Sequence, residues 1–166
     1  MPIQIRTGMF QTNSSSVHSI VLGNWKGKED IIEVKNSVSK IVTVFKIPTY
    51  LVHDNDTYQF GWGYDEYTDM PTKIAYAYLW NKLKNKKKNI KLIESYIIAR
   101  LKTQGFSKIK KIGWEYKIGD NASYIDHQSL EDDSLEPLIT NPWFLFNPKS
   151  KLIISNDNSC PECVKL

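Results

Sequence analysis

Residues 69–105 read DMPTKIAYAYLWNKLKNKKKNIKLIESYIIARLKTQG, and the period of their apolar positions decides the fold class. Tyr76, Leu79, Trp80 and Leu83 fall at i, i+3, i+4 and i+7, the spacing that lines one face of an α-helix. Asp69 and Pro71 stand where an N-cap and a first-turn proline belong, so the pattern predicts an amphipathic helix from Pro71 to about Lys86. Ile90, Ile93, Ile97 and Leu101 then repeat the period, with Asn89 as the N-cap and Gly105 as the C′ stop of a second helix. The KNKKKN segment, 84–89, carries the turn between them, and the two helices form a hairpin.

On either side the pattern changes to that of strands. Ile3 and Ile5 precede a polar turn, Thr12-Asn13-Ser14-Ser15-Ser16, and the β-rich run Val17 to Leu22 follows it. Ile41 to Ile47 is β-branched and stopped by Pro48, and Thr57 to Trp62 is a further short candidate. After the hairpin, Lys108 to Ile118 returns to strand, and Trp143–Phe146 with Leu152–Ile154 flank the turn residues Asn147-Pro148-Lys149-Ser150 as a β-hairpin. Strands, paired helices and strands predict an α+β fold: a mainly antiparallel sheet with one amphipathic helical hairpin. A single domain over 1–158 and a C-terminal tail over 159–166 are expected.

With 166 residues and 41% hydrophobic content, the chain can bury one core and is short for two. An aromatic content of 12% excludes disorder over most of it. No apolar run reaches the roughly 20 residues of a bilayer helix, and the amino terminus lacks the apolar segment of a secretory signal, so a soluble, cytoplasmic protein without membrane contact is expected.

Charge informs by position. The formal net charge is only +4, yet residues 82–117 hold twelve Lys or Arg against Glu94 and Glu115, while residues 118–148 hold six acids and no Lys or Arg. Lys82, Lys84, Lys86, Lys87, Lys88 and Lys91 crowd the helical hairpin as a candidate interaction patch, through which nucleic acid is a candidate partner beside a host or phage protein. The Lys-, Asn- and Ile-rich vocabulary also fits an AT-rich genome, which would make some of these lysines solvated filler. The acidic run Glu131-Asp132-Asp133 reads as a solvated face or as helix-start charge.

Two segments could carry chemistry. Asn13, Ser14, Ser15 and Ser16 offer hydroxyls, an amide and backbone N–H groups for a phosphate, with His18 beside them to move a proton. The competing reading is a hydrogen-bonded turn between strands. Asp126-His127-Gln128-Ser129 supplies a second histidine, so His18, His127 and Asp126 are the candidate catalytic groups of a shared site. The pattern departs from the two-histidine phosphoesterases, because Ser19 follows His18 directly instead of standing two residues on. Cys160 and Cys163, the only cysteines, have the spacing of two thiolate ligands. A tetrahedral zinc would need two more ligands, from among His18, His53 and His127. No cofactor is expected, and zinc is the metal the pair admits.

Residues 6–22, RTGMFQTNSSSVHSIVL, resemble the opening of a group of small, mostly uncharacterised bacteriophage and bacterial proteins with an N-terminal (E/Q)TNSSSxHS motif, here with Gln11 at the acidic position. FGWGYDEY at 60–67 and YIDHQS at 124–129 look like further segments of that group. The resemblance implies a phage or mobile-element origin. The expected function is that of a phage-type accessory protein binding a host or viral macromolecule, an inhibitor of a host defence nuclease being one form of it. The alternative is a small hydrolase or transferase acting on a nucleotide or other phosphorylated substrate.

Overall fold

The computed structural model describes residues 3–5, 16–22, 44–48, 59–61, 63–115, 124–125 and 133–156. Its centre is helix α1, Met70–Leu83, which starts where the sequence places it: the Asp69 carboxylate accepts from the Thr72 amide at 2.9 Å, and Pro71 occupies the first turn. The helix is buried on every side from Thr72 to Asn81, not along a single stripe, and Leu83, read as the end of that stripe, is 46% exposed.

Asn85, with φ of 55°, ends α1 in the left-handed conformation. Its amide donates to the Lys82 carbonyl at 3.1 Å and the Lys86 amide to the Asn81 carbonyl at 2.8 Å, the paired bonds of a Schellman motif. Helix α2, Lys87–Thr103, ends the same way around Gly105 at φ 95°, with Gly105 donating to Lys102 and Phe106 to Leu101. The expected N-cap Asn89 is therefore corrected. It lies inside the first turn of α2, because the chain already reverses at Asn85, and the linker shrinks to 84–86.

Strands β1 (Ile3–Ile5), β2 (Ser16–Leu22), β5 (Asp65–Tyr67) and β8 (Lys151–Asn156) form a four-stranded antiparallel sheet in the order β1-β2-β8-β5, with Ile20 opposite Leu152 and Tyr67 opposite Leu152 on the other side. Two parallel pairs stand apart from it: β3 (Val44–Pro48) with β6 (Lys111–Glu115), and β4 (Gln59–Phe60) with β7 (Tyr124–Ile125). The fold is α+β.

The described residues ahead of β8, 133–150, form a 3₁₀ turn (Asp133–Leu135) and two short helices, α3 (Glu136–Ile139) and α4 (Pro142–Phe146). The expected hairpin of Trp143–Phe146 with Leu152–Ile154 is not formed. Asn141 caps α4 through its side-chain oxygen, which accepts from the Trp143 amide at 2.8 Å, and Pro142 sets the first helical turn. Phe144, Leu145 and Phe146 then bury as a helix, and β8 pairs with β2 and β5 instead.

Burial of Ile74, Leu79, Trp80, Ile93, Ile97, Leu101, Phe144 and Ile154 joins the helices to the sheet in one hydrophobic cluster. Phe60 meets Tyr67 and Tyr76 edge-on, at 5.6 and 4.9 Å between ring centroids, and Tyr78 stacks on Trp114 at 4.1 Å.

Candidate nucleic-acid interface

The geometry of α2 separates its residues by angle. Ile93, Ile97 and Leu101 are buried, while Lys88, Lys91, Leu92, Ser95, Ala99 and Lys102 fall within about 60° of one line on the opposite face and are exposed. Lys87 lies beside the N-terminal end of this stripe, also exposed. From Lys88 to Lys102 the stripe runs about 21 Å at the rise of an α-helix. Glu94, a carboxylate on the same helix, accepts from the Trp114 indole N–H at 2.8 Å. Among the described residues no carboxylate pairs with Lys87, Lys88, Lys91 or Lys102.

The six lysines of the expected patch therefore divide. Lys87, Lys88 and Lys91 stand on or beside the outward face of α2. Lys82 lies with its ammonium 5.6 Å from the centre of the Tyr78 ring, and its burial holds its pKa below the ordinary lysine value. Lys84 sits 5.1 Å over the Trp80 ring and pairs with Asp133. Lys86 pairs with Glu136 at 2.9 Å, and that hydrogen bond raises its pKa. Lys102, absent from the expected patch, joins the exposed group; the helical period of α2 carries the signal for it.

The carboxylates on the other side of these pairs come from the acidic third of the chain. Hydrogen bonds from Lys84 and Lys86 hold Asp133 and Glu136 below their ordinary carboxylate values, and Asn89 adds to the effect at Glu136. The Asn89 amide group donates to Glu136 Oε1 at 2.8 Å and to Asn81 Oδ1 at 2.9 Å, which ties the start of α2 to α1 and α3 at once. Read from the sequence as a solvated face or as helix-start charge, Asp133 stands in the first turn of the 3₁₀ segment with its side chain 71% exposed, and it is paired. The electrostatic reason lies at the helix end. Lys86, Lys87 and Lys88 crowd the positive pole of α2, where cations are disfavoured and no acidic residue occupies the first turn, and Asp133 and Glu136 supply the missing negative charge from outside.

A second polar cluster is wholly interior. Lys73, fully buried in α1, donates from its ammonium to the Asn147 carbonyl at 2.8 Å and to Ser150 Oγ at 2.9 Å. The Ser150 hydroxyl stands 2.6 Å from the Phe144 carbonyl and 2.7 Å from the Asn147 carbonyl; Asn147 O also accepts from the Lys73 ammonium and from the Ser150 amide at 3.0 Å, so Phe144 O is the carbonyl that depends on the hydroxyl. The cluster closes the C-terminal end of α4. Its logic is structural, and nothing in the local sequence around Lys73 announces it.

Of the candidate catalytic and ligand-binding groups, Ser16 and His18 fall in β2, where His18 lies opposite Ile154. Asn13, Ser14, Ser15, Asp126, His127, Cys160 and Cys163 lie outside the described residues. Among the described residues no group of three or more His, Cys, Asp or Glu could hold a metal ion, and no helix is long and apolar enough to cross a membrane. Comparison of the chain with protein-family models, with curated proteins and with solved structures gave no match.

Proposed function

We propose that this chain is a small accessory protein that acts in the cytoplasm by binding a macromolecule through the outward face of α2, and that the macromolecule is nucleic acid. The observation that carries the reading is the stripe itself: Lys88, Lys91 and Lys102, with Lys87 beside them, exposed along about 21 Å of one rigid helix and unpaired with any described carboxylate. Such a row matches a phosphate backbone, where each lysine displaces condensed counterions and gains entropy by doing so. An acidic protein surface would use the same charges. The stripe favours nucleic acid over it because Leu92 is the one large apolar side chain in the row, whereas the core of a protein interface is depleted in charge. The resemblance of residues 6–22 to phage proteins supports a viral setting, and shielding a nucleic acid from a host defence nuclease is the form of inhibition that suits this surface.

The test is a salt titration of binding to a labelled DNA duplex and to a labelled single-stranded RNA. Replacing Lys88, Lys91 and Lys102 together by Gln is expected to make the log–log salt slope shallower by about 2 to 3, at about 0.7 to 0.9 per lost phosphate contact. Absence of binding at low salt, or a slope that the triple substitution leaves alone, refutes the proposal.

A further inference from the structure

We propose that the nucleic acid bound by this surface is single-stranded, with its phosphates along the lysines of α2 and a base stacked on Trp114 of β6. The inference rests on the reading of α2 given above and adds the class of nucleic acid to it. Viewed down α2 at about 100° per residue, Lys87, Lys91, Lys102 and Lys88 fall in that order within roughly 100° of arc. The other flank of the exposed face, at Ala99, Leu92 and Thr103, carries no charge. A helix laid in the major groove of a duplex has a backbone on either side, about 12 Å apart, and calls for cations on both flanks. One ridge of lysines follows one backbone.

The charged flank is also the one that meets β6. Glu94 lies about 20° beyond Lys87 on the lysine side of the helix, and its carboxylate accepts from the Trp114 indole N–H at 2.8 Å. Residues three apart on a helix are neighbours, with Cβ atoms about 5–6 Å apart, so this bond fixes the edge of the indole within a helical turn of Lys91. Asn89, which ties α2 to Glu136, stands beyond the uncharged flank instead. Trp114 stacks on Tyr78 with ring centroids 4.1 Å apart and 12° between the planes. Tyr78 is buried and Trp114 half-buried, so the indole is the outer ring of the pair. Among the described residues no other ring lies against it. A nucleobase added there continues a stack already begun, on an indole that Glu94 and Tyr78 hold in place beforehand, so little side-chain freedom is lost on binding. Trp114 is thus the residue that tells a strand with open bases from a duplex, whose bases are already stacked on one another.

Four probes test this: a thymine DNA strand and a uracil RNA strand of about 20 nucleotides, an abasic DNA strand of the same length, and a DNA duplex. The abasic strand keeps the phosphates and lacks the bases. The unaltered protein is expected to bind the better of the two homopolymers more tightly than the duplex and roughly five- to 150-fold more tightly than the abasic strand, the range of one stacked base. Which homopolymer binds better names the sugar. Trp114→Leu is expected to lose that margin on the homopolymer and nothing on the abasic strand, with the salt slope unchanged on both because no charge is removed. Trp114→Phe, which keeps a ring but not the N–H, is expected to retain most of the margin, and melting temperatures check that each variant is folded.

If the unaltered protein binds homopolymer and abasic strand equally, or binds the duplex more tightly than either homopolymer, the single-strand inference is overturned while the α2 reading stands. If Trp114→Leu weakens both strands alike, the indole serves the fold alone and the inference is again overturned. If no probe binds at low salt, the reading and the inference both fall.

Discussion

Ser150→Ala is expected to be among the most damaging single-atom deletions in this protein, and to be partly rescued by a second substitution. The hydroxyl does two things: it accepts from the buried Lys73 ammonium at 2.9 Å and donates to the Phe144 carbonyl at 2.6 Å. Losing a hydrogen bond to a charged group costs about 1.5–3 kcal/mol, and leaving a buried carbonyl without its donor about 1–3 kcal/mol more. Together they come to about 2.5–6 kcal/mol, a large share of the stability of an ordinary domain. Lys73→Met behaves differently. It keeps most of the buried stem and gives up the charge-assisted bonds to Asn147 and Ser150, but it also removes the cost of holding an ammonium out of water, several kcal/mol, so the net change is expected to stay within about 2 kcal/mol. With Met at 73, Ser150→Ala has only the Phe144 carbonyl left to orphan and should cost about 1–3 kcal/mol. Urea denaturation of the four proteins forms a double-mutant cycle whose coupling should be about 1.5–3 kcal/mol. Equal cost of Ser150→Ala in both backgrounds would show that the ammonium and the hydroxyl are not partners, and the account of this cluster would be wrong.

Two further outcomes follow from local geometry. Asn85→Ala should destabilise by about 1–2 kcal/mol, the cost of a Cβ-bearing residue in the left-handed region without an amide to bond locally, whereas Asn85→Gly should cost nothing or stabilise; thermal melts of the pair decide it. Asp133 and Glu136 have folded pKa values below their unfolded ones, so their contribution to stability is present above the ordinary carboxylate range and is lost as pH falls through the depressed values. Denaturation midpoints measured on the acid side should therefore fall less steeply with pH in Glu136→Gln than in the unaltered protein.

The helical hairpin was legible because its signals are local. Asp69, Pro71 and Gly105 act within a turn of where they stand, and Ile93, Ile97 and Leu101 bury on the face that the period assigns them. The start of α2 is less legible because Asn85 and Asn89 offer similar side chains four residues apart, and only the backbone reveals that Asn85 takes the positive φ. Trp143–Phe146 reads as a strand in the sequence because a short apolar run has no period of its own, although Asn141-Pro142 carries the helix-start chemistry. At the candidate interface, composition found the lysines but could not divide them. Lys84 and Lys86 are distinguished from Lys88 and Lys91 by carboxylates some fifty residues away, and such partners are fixed by tertiary packing alone.

The burial of α1 on every side has a consequence for how the molecule opens. A helix that packs against α2, α4 and β7 cannot be shed as a unit, because each neighbour would have to leave first. Its amides should therefore exchange with solvent only through events that dismantle the whole core, while the ends of α2, with one face in water, open by brief fraying. A protease gains no foothold in residues 72–81 from partial motions, and the surface offered to a ligand can breathe without loosening the helix on which it is built.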